Sequence, residues 1–378
     1  MMTKTDTSKP VQSDLFKVML RDLVAKGHEL VLLRDAIDWQ RYEKVLEPAY
    51  CSDNGRPSIP VRMMAGLTFL KYMFGLSDQD VLDNWCENPY WQYFCGGEFF
   101  EHEPPTDQET MSRWRSRAGE TGVREMITET IASALRNKVA KKKDFERVNV
   151  DTTVQEKNVR FPTDARTLDR AVHEPQVECI TKGKVHKRYE FGVKAGYVTA
   201  SRTNWVPGAM ALPGNPYDGN TLAQAEDVCG VKPQHTCCDL GYRGHGYKGE
   251  CDVQVLNRFR KRKPRGVLRW WKRRSAIEPV IGHIKSDHYM ERNMLGGELG
   301  DKLNAMLSAV GFNLVKLMKG LKKKWLKSLF LCLREVTDGM ARIIAGLRDQ
   351  FMPPTVSERL AAGGVACRHP RFGNWAFA

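Results

Sequence analysis

Three acidic residues are placed where a carboxylate is costly unless it has work to do. Asp151 stands in "VNVDTTVQ", residues 148–155, whose apolar and β-branched neighbours predict a buried strand. A lone buried carboxylate is unfavourable unless paired, hydrogen-bonded or bound to a cation. Asp239, in "HTCCDLGYRGH", follows a strand-like run that Gly241 ends. Glu278, in "RRSAIEPVIGHIKSDH", falls in the first turns of a predicted helix that begins near Ser275 and tolerates Pro279 there. Each has an ordinary reading as well: a strand-end cap for Asp151, a turn aspartate before glycine for Asp239, a solvated ion-pair face for Glu278. Taken together they form a carboxylate cluster, which repels itself unless a cation joins it. Mg²⁺ suits such a set, with Mn²⁺ as a substitute, because it takes oxygen ligands and is shared readily with phosphate. Two such ions activate a water or a 3′-hydroxyl and stabilise the leaving oxygen of an in-line displacement. Asp151, Asp239 and Glu278 are therefore the expected catalytic and metal-holding residues.

The elements that must position them change character along the chain. Before residue 143 the pattern is helical. Ser58 with Pro60 opens one segment, on which Val61, Met64, Leu67 and Leu70 recur at helical spacing. Ser77 or Asp78 caps the next. Thr106 with Glu109 reads as a capping box for a helix bearing Met111, Trp114 and Arg115, and another helix covers about 122–139. Lys141-Lys142-Lys143 reads as a linker. Short β-rich runs follow at 147–155, 189–200, 205–212 and 235–241, interrupted by a helix near Asn220. From Gly300 a long amphipathic helix carries Leu303, Met306, Leu307, Val310, Leu314 and Leu317. This order predicts an α/β fold with a mixed sheet flanked by helices, preceded by an all-α domain. The expected domains are 1–143, 144–320 and a basic, weakly patterned tail at 321–378.

Charge points to the substrate. Lys and Arg number 59 against 45 Asp and Glu in 378 residues, a formal net charge of +14. That excess favours an anionic partner, nucleic acid first, although a ribosomal or membrane-surface protein can have the same balance and charge alone decides little. Residues 258–274, "RFRKRKPRGVLRWWKRR", hold ten basic residues and no acidic one, with Trp270 and Trp271 embedded. Basic side chains track phosphates and an aromatic ring stacks on an unpaired base. This run leads into the helix of Glu278. There Arg274, Glu278 and Lys285 share one face at about 100° per residue, beside the stripe Ile277, Ile281 and Ile284. The N-terminal stretch is polar, without the apolar region of a secretory signal, and no run approaches a membrane span. The ten cysteines show no CxxC pair, and Cys86, Cys95 and Cys332 sit in apolar surroundings. Reduced, buried thiols in a cytoplasmic chain are expected.

With these residues in view, the chain resembles bacterial insertion-sequence transposases of the DDE class, in particular the insertion-sequence-5 group. "VDTTV", "FPTDA", "GKVHKRYEFGVK", "ALPGNPYDGNTL", "DLGYRGH" and "RRSAIEPVIGHIKSDHYMERN" look like that family's blocks in its order. The Arg274, Glu278 and Lys285 spacing matches its signature, with Trp271 at an aromatic position that is tyrosine in the family. "RPSIPVRMMAGLTFLKYMFGLSDQDV" looks like its N-terminal helical domain. The resemblance covers about residues 15–320. It implies an RNase H-like core with Asp151 on the first strand, Asp239 after the fourth and Glu278 on a later helix. It implies Mg²⁺-dependent cleavage at element ends and strand transfer into a target, acting on double-stranded DNA at terminal inverted repeats and target site. Arg274 and Lys285 would position DNA, with Trp271, Arg273 and Arg243 beside them. A homodimer in the synaptic complex, a nucleoid-associated location and no membrane partner also follow.

Two departures from the family lead to the expectation of a shortened or degenerate copy that binds DNA and cleaves it poorly. Few residues separate Asp164 from Val177 where relatives carry a longer basic helical stretch, and Leu240 follows Asp239 where relatives have a basic residue. Two rival readings remain. One is a non-catalytic DNA-binding protein whose helix at 106–118, with Trp114, enters a major groove. The other is a nuclease with an RNase H-like core. "GHGYKG", residues 244–249, matches a dinucleotide-binding pattern but leads into a strand-like run, which argues against such a site. Cys237 and Cys238 are adjacent on a strand and so point to opposite faces, which argues against one zinc held by both.

Overall fold

The computed structural model describes residues 18–50, 58–158, 174–181, 189–256, 270 and 272–351, the last four as backbone only. They divide between two compact units, residues 1–322 and 323–378.

Among the described residues of the first unit, seven helices precede the sheet: α1 (Leu20–Leu23), α2 (Glu29–Ala36), α3 (Trp39–Leu46), α4 (Val61–Phe74), α5 (Asp78–Glu87), α6 (Pro89–Cys95) and α7 (Gln108–Arg136). Their starts follow capping chemistry, with some shifts from the sequence reading. Helix α4 begins with Pro60 at the N-cap and no side-chain cap, so Ser58 is not the capping residue. Ser77 caps α5 in a reciprocal box with Asp80. Asp107, rather than Thr106, caps α7 by accepting from the Thr110 amide at 2.7 Å. The two helices expected at 106–118 and 122–139 are one element, kinked at Gly119 (φ 60°, ψ −169°), a conformation open to glycine and strained for other residues.

The sheet contains β1 (Arg147–Glu156), β2 (Glu178–Thr181), β3 (Tyr189–Ala200), β4 (Gly208–Leu212), β5 (His235–Cys238) and β6 (Asp252–Val255). Its order is β2-β3-β1-β5-β6, with β4 also on β3. β3 runs antiparallel to β1, with Asp151 opposite Tyr197, while β5 is parallel to β1 and β6 parallel to β5. Helix α8 (Leu222–Asp227) follows β4, and α9 (Ile277–Asp287) and α10 (Gly297–Phe351) follow the sheet. The fold is α/β with a mixed sheet, as its alternation predicts. β2 was not anticipated, because its four residues, Glu-Cys-Ile-Thr, carry too short a pattern.

Strand periodicity decides which layer each β1 residue meets. Val148 and Val150 join Val198, Met210, Leu222 and Tyr242 in a small cluster under α8. The odd positions turn the other way: Asn149 donates to the Arg273 carbonyl at 3.3 Å, and Gln155 donates to the Asp301 carbonyl, in α10, at 3.2 Å. On that side Tyr197, Trp205, Ile277, Ile284, Leu307 and Leu314 share one continuous core with Leu67, Phe69, Trp85 and Met126 of the N-terminal helices. The N-terminal helices and the sheet therefore do not have separate cores. The lysine run expected as a linker leads into a 3₁₀ turn, Lys142–Phe145, which buries Phe145.

Candidate functional site

Each of the three carboxylates is delivered by a different element. Asp151 comes from the middle of the central strand. Asp239 follows β5, fifth in chain order, and opens the 3₁₀ turn Leu240–Tyr242; its Oδ1 accepts from the Gly241 amide at 2.9 Å. Glu278 lies in the first turn of α9, which the buried side chains Ile277, Val280, Ile281 and Ile284 dock onto the core.

These residues meet at one guanidinium. A single Arg274 nitrogen, Nη2, lies 3.1 Å from Asp151 Oδ2 and 3.5 Å from Asp239 Oδ2. Its other amino nitrogen lies 3.9 Å from Glu278 Oε1. The Asp151 and Arg274 side chains are 16% and 17% exposed, whereas Glu278 is 65% exposed, so the site grades from a buried floor to an open rim. Burial pushes the Asp151 carboxyl up to about 6; Arg274 opposes this and the Asp239 charge adds to it.

A fourth carboxylate stands close by and was not singled out from the sequence. Asp218 opens the 3₁₀ turn Asp218–Thr221. It accepts from Lys194 Nζ at 3.1 Å and from Thr152 Oγ1 at 3.0 Å. A side chain built at Gly241 would place its Cβ 3.0 Å from Asp239 Oδ1 and 3.1 Å from Asp218 Oδ2, so glycine leaves the room these two carboxylates need. The available signal was the block "NPYDGNTL", quoted only for its resemblance. Four carboxylates thus face Arg274 and Lys194.

All the donors are carboxylate oxygens, the type Mg²⁺ prefers. As the side chains stand, no three acidic, histidine or cysteine groups among the described residues are arranged to hold a metal ion. Arg274 lies between the carboxylates and supplies the positive charge.

The remaining expected DNA contacts are dispersed around this centre. Arg273 is exposed and donates to the Arg202 carbonyl at 3.4 Å. It lines a cavity of about 290 Å³ with Lys143, Arg147, Arg202 and Trp270 and the acidic Asp144 and Glu146, and Arg147 lies 4.3 Å over the Trp270 ring. Arg243 is exposed in the loop after Asp239. Lys285 is partly buried, two turns beyond Glu278 on α9. Trp271 and basic positions 258–269 lie outside the described residues, as do Asp164 and the shortened stretch 159–173.

The helix of the rival hypothesis presents Arg113 and Arg117 to solvent but not its other named side chains. Trp114 is buried, and Arg115 makes two 2.7 Å bonds to Asp78, so neither side chain is presented outward. Cys95, Cys237, Cys238 and Cys251 are buried free thiols, but Cys332, expected to be buried, is exposed. Residues 244–249 form a loop that leads to β6 rather than to a helix.

Residues 18–117 match the family model described as a transposase domain, DUF772. The chain is also 42% identical over 161 residues to an uncharacterized protein, ORF8 in the nfe locus of Rhizobium meliloti, covering 43% of this chain and 77% of that one. It belongs to the same family as that protein. Among solved structures it is similar to a piggyBac transposase synaptic complex with hairpin DNA, at 9% identity and a TM-score of 0.38, over 92% of this chain and 86% of that one. A score so low does not establish a shared fold. Among the described residues, no helix is long and apolar enough to cross a membrane.

Proposed function

We propose that this protein is an insertion-sequence transposase of the DDE type, with an RNase H-like core. The observation that carries the reading is the meeting of Asp151, Asp239 and Glu278, from three separate elements, at the guanidinium of Arg274. The transposase domain at residues 18–117 agrees with it. So does the sheet: a central strand with an antiparallel neighbour on one side and two parallel strands on the other has the order and direction expected of an RNase H-like core.

Asp151, Asp239 and Glu278 would hold Mg²⁺, which when bound activates the attacking hydroxyl and stabilises the leaving oxygen of a phosphodiester. The protein's own residues do the rest. Arg274 offsets part of the carboxylates' charge and would be free to turn toward a phosphate were a cation held among them. Arg273, Arg202, Arg147 and Lys143 offer positive charge to a backbone alongside, and Trp270 offers a stacking face. Exposure of Glu278 keeps the site open on the side from which a duplex arrives.

The test is cleavage by the purified protein, with Mg²⁺, of a duplex carrying the DNA that flanks its gene. Metal-dependent nicks at inverted repeats, abolished by chelator and by Asp151→Asn, are expected. Binding without any metal-dependent product refutes the catalytic reading and leaves the shortened, DNA-binding copy.

A further inference from the structure

The second unit carries a surface that the transposase reading does not use. The sequence reading treated residues beyond 321 as a weakly patterned tail, but they are helical through Phe351. Within 323–351 most of the large apolar residues follow a heptad, with Leu331, 47% exposed at position f, standing off it. Leu326, Leu333, Met340 and Leu347 occupy position a, and Leu329, Val336 and Ile343 occupy position d. These seven side chains are all 42–65% exposed. At 1.5 Å per residue the stripe is about 33 Å long. Phe330 and Ile344 widen it at position e and are also exposed. Exposed apolar faces of this extent mark association surfaces.

The occupant is indicated by charge and by size. No e or g position from Phe330 to Gly346 is charged: e holds Phe330, Thr337 and Ile344, and g holds Cys332, Gly339 and Gly346. Identical helices therefore meet without like-charge repulsion. Over 323–349 six basic residues stand against three acidic ones, but Lys323 and Lys324 precede the stripe, and along it Lys327, Arg334, Arg342 and Arg348 are interspersed with Glu335, Asp338 and Asp349. A helix lying on an anionic membrane surface would spread its basic excess along the whole polar face. A Cβ added at Gly339 or at Gly346 meets nothing within 4 Å, so both leave space beside the stripe. In a parallel pairing, g of one helix flanks the following e of the other. That sets Gly339 beside Ile344, small against large; an antiparallel pairing sets glycine against glycine and Ile344 against its equivalent or Phe330. We infer that residues 326–347 assemble copies of this chain through a parallel helical bundle. Leucine or methionine at a, with β-branched residues at two of three d positions, favours more than two strands.

The test is sedimentation equilibrium of the full-length protein, 43.1 kDa as a monomer. The expected result is a mass at a whole multiple of the monomer that falls to one copy in Val336→Asp/Ile343→Asp. These positions are exposed in the single chain, so an unchanged melting temperature for residues 1–322 shows that the variant still folds. In a Cys332→Ser background, Ile343→Cys should give a symmetric 343–343 disulfide under mild oxidation. A monomeric wild-type protein overturns the inference, whether residues 352–378 or anionic phosphatidylserine vesicles turn out to cover the stripe. A multiple that survives the double substitution overturns it too, and an absent 343–343 link overturns the parallel arrangement.

Discussion

Arg274→Gln is the sharpest perturbation of the site, because one side chain holds three carboxylates together. Breaking a largely buried ion pair by removing one partner costs about 3–5 kcal/mol. Arg274 and Asp151 are 17% and 16% exposed, so solvent screens the pair only weakly. In the wild type the Asp151 carboxyl is raised to about 6, and Arg274 is the strongest influence holding it down. The variant therefore raises it further. The sign follows from linkage. A carboxyl whose folded value lies above its unfolded one, about 3.9, contributes stability that is complete below about pH 4 and is lost as pH rises through the folded value. At about pH 8 the variant must either keep a proton on Asp151 or bear uncompensated charge, and the full 3–5 kcal/mol is expected. At about pH 5 Asp151 is mostly protonated in both proteins, and the difference falls to roughly 1–2 kcal/mol, the scale of the lost hydrogen bonds. For a unit of 322 residues, with an unfolding entropy of about 2.1 cal/mol/K per residue, the larger figure is a melting shift of about 4–7 °C. Melting curves from about pH 5 to 8, with and without millimolar Mg²⁺, provide the assay. Mg²⁺ should stabilise the variant more than the wild type, since no guanidinium has to leave. A melting shift that does not change with pH, or an equal Mg²⁺ effect on both proteins, refutes the reasoning.

Other outcomes follow from the same geometry. Asp151→Asn should bind end DNA within about threefold of wild type in gel shifts and give no metal-dependent nick, the loss expected of a residue that holds the ion. Glu278→Gln should abolish nicking while changing stability by less than about 0.5 kcal/mol in denaturant titration, because its side chain is 65% exposed. The nicking rate should rise with pH through an inflection at or below about 6, as Asp151 loses its proton; a flat profile from about pH 5 to 8 counts against its role. Arg202→Ala with Arg273→Ala should weaken binding to all sequences alike, each making the salt slope of affinity shallower by about 1 if it meets a phosphate. Asp301→Ala should destabilise by about 2–4 kcal/mol, below the full cost of an unpaired buried charge, because Lys157, 4% exposed and 2.8 Å from Asp301, keeps Glu174 at 3.4 Å.

The parts of the fold that were legible in the sequence are those set by local periodicity. The strand around Asp151, the long strand at 189–200 and the apolar stripe Leu303–Leu317 each have a repeat their element must satisfy. Capping was legible only to within a residue or so: Ser77 was named and Asp107 was missed by one position. The site was legible as a set of expensive carboxylates, but its arrangement was not. That Arg274 reaches Asp151 as well as Glu278 depends on α9 docking against β1, a tertiary fact with no local signature. Asp218 was hidden for a similar reason. An aspartate before glycine reads as a turn, and only the folded chain brings it beside Asp239 across Gly241. The heptad after Lys322 was present in the letters and was obscured by the lysine cluster that precedes it.

Arg274 gives a reason why such a cluster of carboxylates can fold at all. Asp151, Asp239, Asp218 and Glu278 are gathered near one another, and mutual repulsion would open an uncompensated site. Lys194 answers Asp218, and the Arg274 guanidinium answers the other three at 3.1, 3.5 and 3.9 Å. Those contacts lengthen from the buried floor to the exposed rim, so the hold on Glu278 is the weakest and the first to yield. Were Mg²⁺ held here as proposed, Glu278, the most exposed and most loosely held of the three, would be the carboxylate most easily released from Arg274. Lysine at this position would carry the charge but lack the second amino nitrogen that spans to Glu278. Arg274→Lys should accordingly keep most of the metal-free stability at neutral pH while nicking more slowly than wild type. Equal nicking rates would show that the planar fork is not what the site requires.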